Sequence, residues 1–338
     1  MQLPQVELHL HIEGTLEPEL IFELAARNNM ELPYATLADL RAQYEFQDLQ
    51  SFLDLYYSNM AVLQTEQDFA DMTRAYLSRA AAAGVRHAEI MMDPQAHTVR
   101  GVPLKACVDG VSSALANSEE EFGISTGLIA AFLRDQPVEG ALTVLEELLA
   151  MKAPIIGIGL DSAEAGNPPR NFVALYERAR RANLKCIAHA GEEGPPDYIR
   201  QALDLLQVDR IDHGIRCMED EELVQRLVDE QVPLTVCPLS NVRLRAVDTL
   251  ADHPLPRMLE RGLNVSVHSD DPAYFGGYLD ENVAQVRETF GFDAGQLAVL
   301  ASNAVRSAFL DDARRRELLA AIAAWLDAQP RGASGASA

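Results

Sequence analysis

The chain has 338 residues, of which 48% are hydrophobic, enough to bury the core of one large α/β barrel or of two ordinary domains. Its formal charge of −23 argues against nucleic acid and against an anionic membrane surface, because both need Lys and Arg concentrated on one face. No apolar run approaches the roughly 18 residues of a spanning helix, and no basic-then-apolar leader opens the chain, so a cytoplasmic location is expected.

The first predicted strand, Val6–Ile12, carries His9 and His11 at positions i and i+2, on one side of the strand and just ahead of Gly14. Two imidazoles at a strand end make half of a metal site. The gap from Ile12 to the next predicted strand, Val85–Met92, reads as helices over Glu17–Asn28, Leu37–Tyr44, Leu49–Leu63 and Thr65–Gly84. Pro18 sits in the first helical turn, Thr65 is the expected N-cap and Gly84 the expected stop. This aromatic-rich insertion, about 15–83, either packs as a flank or lids the first strand-to-helix opening. Further strands are predicted over Ile124–Phe132, Ile155–Leu160, Leu184–His189, Arg210–His213, Pro233–Cys237 and Leu263–His268. Amphipathic stretches lie between them at Asn171–Ala182, Asp197–Leu206, Asp220–Glu230 and Pro254–Arg261.

Eight strand-then-helix units predict a (β/α)8 TIM barrel with a helical insertion after the first strand, a single domain over 1–329. The Gly-, Ser- and Ala-rich segment 330–338 reads as a frayed tail. No Gly-x-Gly-x-x-Gly follows a strand, which removes the main signal for a dinucleotide fold. Cys107, Cys186, Cys217 and Cys237 lack CxxC spacing and read as buried free thiols.

The chemistry-bearing residues fall at the C-terminal ends of predicted strands, the rim where barrel enzymes build active sites. His9/His11, Asp161/Ser162, His189/Glu192, Asp212/His213, Ser240/Asn241 and His268/Asp270/Asp271 each occupy such an end. His9, His11 and His189 supply neutral imidazoles and Asp270 a carboxylate, a donor set for one catalytic Zn²⁺ with room for water. Glu192, past Ala190-Gly191, can face the cavity without ligating, and in a partly dry pocket it can donate a proton. His213 could take a proton from water or steady an oxyanion, and Asp271 is free to meet substrate. His253, before a proline, reads as surface; strand packing is the simpler reading of His87, and a loop hydrogen bond that of His97.

With these motifs in order (His9-Leu10-His11, His189-Ala190-Gly191-Glu192, Asp212-His213-Gly214, Cys237-Pro238-Leu239-Ser240-Asn241 and Ser269-Asp270-Asp271-Pro272), the chain resembles the adenosine/adenine deaminase family of the amidohydrolase superfamily. The likeness runs from about residue 5 to about residue 325. It implies one Zn²⁺ on His9, His11, His189 and Asp270, with Glu192 as proton donor to purine N1. It also implies that His213 positions the attacking hydroxide and that Asp271 partners N7, so that ammonia leaves C6. Glu13, where nucleoside deaminases usually carry Asp, and Asp161-Ser162-Ala163-Glu164, where they usually show Ala-Gly-Asp-Glu, are similar to the adenine deaminase branch. A charge at Glu13 would fill ribose space and suit a free base, so Glu13 and Ser162 join Asp271 as expected substrate contacts.

The expected reaction is therefore adenine to hypoxanthine in purine salvage, with adenosine to inosine as the alternative and a non-catalytic purine binder as a distant one. Partners are a small purine base and, left open, further copies of the chain. His268, where the branch commonly shows Asn, is expected behind the metal ligands rather than among them. Met91 and Met92 are expected in the core; the other reading has them leaving room for an N6 substituent. A lactam- or phosphoester-hydrolysing relative would usually need a bridging lysine, and none stands at the fourth strand end.

Overall fold

Strands buried on both faces read as nearly continuous apolar runs, and the segment from Gly127 to Leu133, buried throughout, is such a run. The computed structural model describes residues 2–330 and arranges eight strands in sequence order, every neighbouring pair parallel. They are β1 (Gln5–Glu7), β2 (Val85–Met92), β3 (Ser125–Leu133), β4 (Ile155–Asp161), β5 (Lys185–Ala190), β6 (Arg210–His213), β7 (Leu234–Val236) and β8 (Val265–Val267). The ring closes through Asp270, whose N–H donates to His9 O at 3.0 Å and whose carbonyl accepts from His11 N at 3.1 Å. The fold is the expected TIM barrel.

The first strand is shorter than predicted. Regular pairing stops at Glu7, and the His9–His11 stretch continues only as isolated bridges, Leu10 to Asp270 and His11 to Met91. Helices of the insertion run over Pro18–Arg27, Leu37–Arg41, Leu49–Asn59 and Glu66–Ala82. Thr65 caps the last of them by accepting from Asp68 N, and Gly84, at φ 88°, supplies the left-handed turn into β2. Asp48 caps Leu49–Asn59 in the same manner through Ser51. The sequence reading passed over the helix Ala294–Ser307, which packs on β1 and β8 and donates from Asn303 Nδ2 to Val265 O at 3.0 Å.

Inside the barrel Met91 packs with Ile129, Ala131 and Ile187, while Met92 belongs to the main core. Both methionines are therefore core. A buried ion pair, Arg210 Nη1 to Glu89 Oε2 at 2.7 Å, lies in the interior, and Arg210 also donates to Leu8 O and Ser307 O. All four cysteines are buried and free. Among the described residues no helix is long and apolar enough to cross a membrane. The predicted tail beyond Pro330 lies outside the described residues.

Candidate active site

At the C-terminal strand ends several residues leave the regular strand conformation. Ser162, His213 and Asp270 all have positive φ (69°, 61° and 65°), a backbone that side chains other than glycine seldom adopt and that clusters at functional sites. The turns aim their neighbours inward. Nε2 of His9 and His189 lie 3.1 Å apart, and those of His11 and His189 3.3 Å apart. Asp270 Oδ1 is 3.4 Å from His9 Nε2 and 3.5 Å from His11 Nε2.

Partners on the far side of each ring decide whether these nitrogens are lone pairs or donors. His9 Nδ1 faces the carbonyl of Thr235 at 3.0 Å, so it carries the proton and Nε2 is left bare. His11 Nδ1 faces Asp161 Oδ2 at 3.4 Å, and His189 Nδ1 faces Asp212 Oδ2 at 3.6 Å. Carboxylates or carbonyls behind each imidazole, with bare nitrogens in front, are the usual outer support of a metal site. Ligands about 2.0–2.1 Å from a tetrahedral ion stand roughly 3.3 Å from one another, so the observed spacings fit a divalent metal.

Beside this cluster, Glu192 Oε2 is 3.5 Å from His213 Nε2. Burial first, and then the charge of Asp270, hold the Glu192 carboxyl well above its ordinary range. The same two causes hold Asp271 well above its own. Both carboxyls are thereby biased toward the protonated, donating form. His213 is held well below the usual histidine range, by burial first and then by His9, and is neutral.

Its tautomer follows from a chain of donors. Leu255 N–H donates to His253 Nδ1 at 3.1 Å, which leaves His253 Nε2 as the donor to Asn241 Oδ1 at 3.1 Å. The Asn241 amide is thereby oriented, and its Nδ2 donates to His213 Nδ1 at 3.2 Å and to Glu192 Oε1 at 3.4 Å. His213 must then carry its proton on Nε2, which has no hydrogen-bond partner and lies 3.7 Å from Asp270 Oδ2. Of the two readings left open for His213, the donor arrangement favours steadying an oxygen over taking a proton.

The structure thus brings together His9, His11, His189, Asp270, Glu192 and His213, and it places Asp271 and Ser162 on the cavity wall. Gly14 makes room for Asp271: a Cβ there would lie 2.6 Å from Asp271 Cα. Leu49, Phe52, Leu53, Tyr56 and Tyr57, all from one insertion helix, also line the cavity, so part of the insertion forms its wall.

Glu13 is placed differently from the expectation. It does not line the cavity; it accepts from Asp93 N at 3.1 Å and from His97 Nε2 at 2.7 Å, the far side of His97 being held by Arg100 Nη2. His97 was read as a loop residue and is instead fully buried in a short helix, Pro94–Thr98. His253, read as surface, is 3% exposed. His268 turns from the cluster toward β1, accepting from Leu8 N at 3.0 Å and meeting Ser266 Oγ at 2.8 Å. Sequence reasoning also missed Glu164, whose carboxylate accepts the backbone N–H groups of Gly191, Glu192, Glu193 and Gly194 at 2.7–3.0 Å. The run of amides after His189 carries no sequence mark of its partner.

The Adenosine deaminase family model matches residues 4–325. An adenine deaminase of Streptomyces coelicolor is 59% identical over 92% of this chain and 92% of its own. The crystal structure of an adenine deaminase from Arthrobacter aurescens superposes with a TM-score of 0.96 at 69% identity, covering 96% of this chain and all of that one. An amidohydrolase from Burkholderia ambifaria, solved with bound Zn, is 29% identical with a TM-score of 0.88, covering 96% and 91% of the two chains. The family match spans every strand and every motif gathered at the barrel mouth, from His9 to Asp271, and the chain belongs to the adenosine deaminase family.

Proposed function

We propose that this protein deaminates adenine hydrolytically, giving hypoxanthine and ammonia, with one Zn²⁺ held by His9, His11, His189 and Asp270. A small purine base is its partner and the cytoplasm its location. The observation that carries the reading is a bare-nitrogen donor set beside two buried carboxyls, Glu192 and Asp271, on one cavity wall, both biased toward the donating form by burial and by Asp270. Adenine offers acceptors at N1 and N7, one for each of these donors. The adenine deaminases that resemble this chain over nearly its whole length support the same substrate.

When bound, the metal supplies a water whose pKa is lowered toward about 7. The residues do the rest. Glu192 delivers a proton to N1 as water oxygen bonds to C6, which spreads charge off the ring. Asp271 donates to N7 and fixes the base in plane. His213, neutral with its proton on Nε2, donates to the attacking oxygen and holds it in line. Breaking the bond between C6 and the exocyclic nitrogen restores the ring: of the two water protons, one leaves with that nitrogen as ammonia and the other returns to the Glu192 carboxyl, which leaves hypoxanthine with its new proton on N1. Zinc is favoured over other divalent ions by three imidazoles and one carboxylate.

The test is the specificity constant of the zinc-loaded protein for adenine and adenosine under one set of conditions, followed by ultraviolet absorbance. Adenine is expected to be favoured at least a hundredfold, the scale on which sites reject an ill-fitting analogue. Adenosine preferred would overturn the assignment.

A further inference from the structure

The free base differs from its nucleoside in one hydrogen-bonding group: the ring N9–H, which a sugar replaces. Glu192 and Asp271 account for N1 and N7 in the reading above, leaving N3, an acceptor, and N9–H, a donor. The cavity wall offers a matched pair. Tyr57 O–H donates to Ser162 Oγ at 3.1 Å, so the Ser162 hydroxyl keeps its own proton for an acceptor such as N3. Its neighbour Asp161 is 2% exposed and lines the same cavity; its Oδ2 faces His11 Nδ1 at 3.4 Å, while its Oδ1 has no hydrogen-bond partner. Asp93, also on the wall, has an unpartnered Oδ1. Buried polar atoms without partners are rare and costly, and here they face a space built for a ligand.

A second cation on His11, Asp93 and Asp161 is the other occupant to weigh, since their ligand atoms lie close together. His11 argues against it. With Nε2 turned to His189 and Asp270 as a bare nitrogen, Nδ1 must carry the proton it presents to Asp161, and an N–H cannot ligate. What remains is a pair of acceptors at a buried wall, open to a neutral N–H.

We infer that Asp161 accepts the ring N9–H of the substrate, making the proton that nucleosides lack a recognised feature and Asp161 a specificity-determining residue. A carboxyl accepts through its carbonyl oxygen in either protonation state, so the contact does not depend on ionisation. An N9-substituted purine loses the bond and leaves Asp161 buried against a carbon, which is how polar pockets reject analogues strongly. Free-base choice then resides at the end of β4, and Glu13, sealed behind Asp93 by His97, acts only from behind.

The inference rests on the deaminase reading, and the experiment separates the two. Equilibrium binding of adenine and 9-methyladenine to the metal-loaded protein is measured by calorimetry, alongside turnover, for the wild type, Asp161→Ala and Asp161→Asn. The wild type is expected to prefer adenine by about a hundredfold or more. Because Asp161 also backs His11, binding is measured at saturating zinc with occupancy verified; under that condition Asp161→Ala is expected to weaken adenine itself at least tenfold and to bring the two ligands within about tenfold of each other. Asp161→Asn, which retains a carbonyl acceptor, should keep most of the preference and covers the case in which the alanine variant does not fold. A wall that acted only by bulk would admit 9-methyladenine in Asp161→Ala and leave adenine binding untouched; that result overturns the inference, as does an unchanged ligand ratio. A wild type that binds adenine in this pattern without turning it over overturns the deaminase reading alone.

Discussion

The carboxylate of Glu164, at the turn after β4, holds the backbone of Glu192, after β5, with Oε2 accepting Glu192 N–H at 3.0 Å. The same oxygen takes the N–H groups of Glu193 and Gly194, and Oε1 takes that of Gly191. One buried acidic side chain thus satisfies four successive donors that no strand or helix pairs, and charge-assisted bonds of this kind are about twice as strong as neutral ones. Glu164 is absent from the cavity lining, yet it fixes where Glu192 stands.

Replacing Glu164 by Gln tests this positioning role. The amide keeps one accepting oxygen and brings an NH₂ toward N–H groups, so the loop loosens. Turnover should drop about ten- to a hundredfold, with KM changed little and metal content intact, since misplacement of a catalytic group acts on the barrier. A variant that only melts at lower temperature, with turnover intact, would show Glu164 to be structural alone.

Much of this site was legible in the sequence because strand ends announce themselves. A β-rich run followed by histidine, glycine or paired acids marks each rim position from His9 to Asp271, and their order fixed the barrel. Residues that act through other residues were not legible. Nothing around His253-Pro254 shows that a buried amide 12 residues earlier needs its N–H, because that contact exists only once the loop folds over β7. Glu13 failed in the opposite way: its place in the first motif was visible, but the helix that carries His97 and buries it comes from the far side of β2.

Removing a ligand should remove the metal. His9→Ala takes away one imidazole, and the other two, backed by Asp161 behind His11 and Asp212 behind His189, are held in place and cannot supply its lone pair. Metal analysis after dialysis is expected to show about one ion per wild-type chain and a small fraction of that in the variant. Full occupancy in His9→Ala would exclude His9 from the ligand set.

Glu192→Gln separates binding from chemistry. The amide is isosteric and keeps its contact range to Asn241 and His213, but it cannot give up a proton to N1. Metal and purine binding should persist while turnover falls by several orders of magnitude. Near-normal turnover would take Glu192 out of the mechanism.

His253→Leu, which has no donor, probes the relay that sets the His213 tautomer, and it carries two signatures. Without the His253 N–H the Asn241 amide is free to flip, and His213 then spends part of its time with the proton on Nδ1, facing the wrong way. Turnover should fall about tenfold with little change in KM, as expected for a donor used in the transition state. Stability carries the second signature. Burial lowers the pKa of His253 to about 3, whereas in the unfolded chain it titrates near 6.5. Between these values the unfolded state binds one proton more than the folded state, so the wild type loses stability as pH falls below about 6.5. Leucine does not titrate, and the variant lacks this loss while sharing every other titrating group. The stability difference between wild type and variant should therefore shift against the wild type by about 1.4 kcal/mol for each pH unit below 6. Denaturant melts at pH 7, 6 and 5 read that shift directly. A difference that stays constant with pH would mean His253 is already protonated in the fold, and the tautomer assigned to His213 would fall with it.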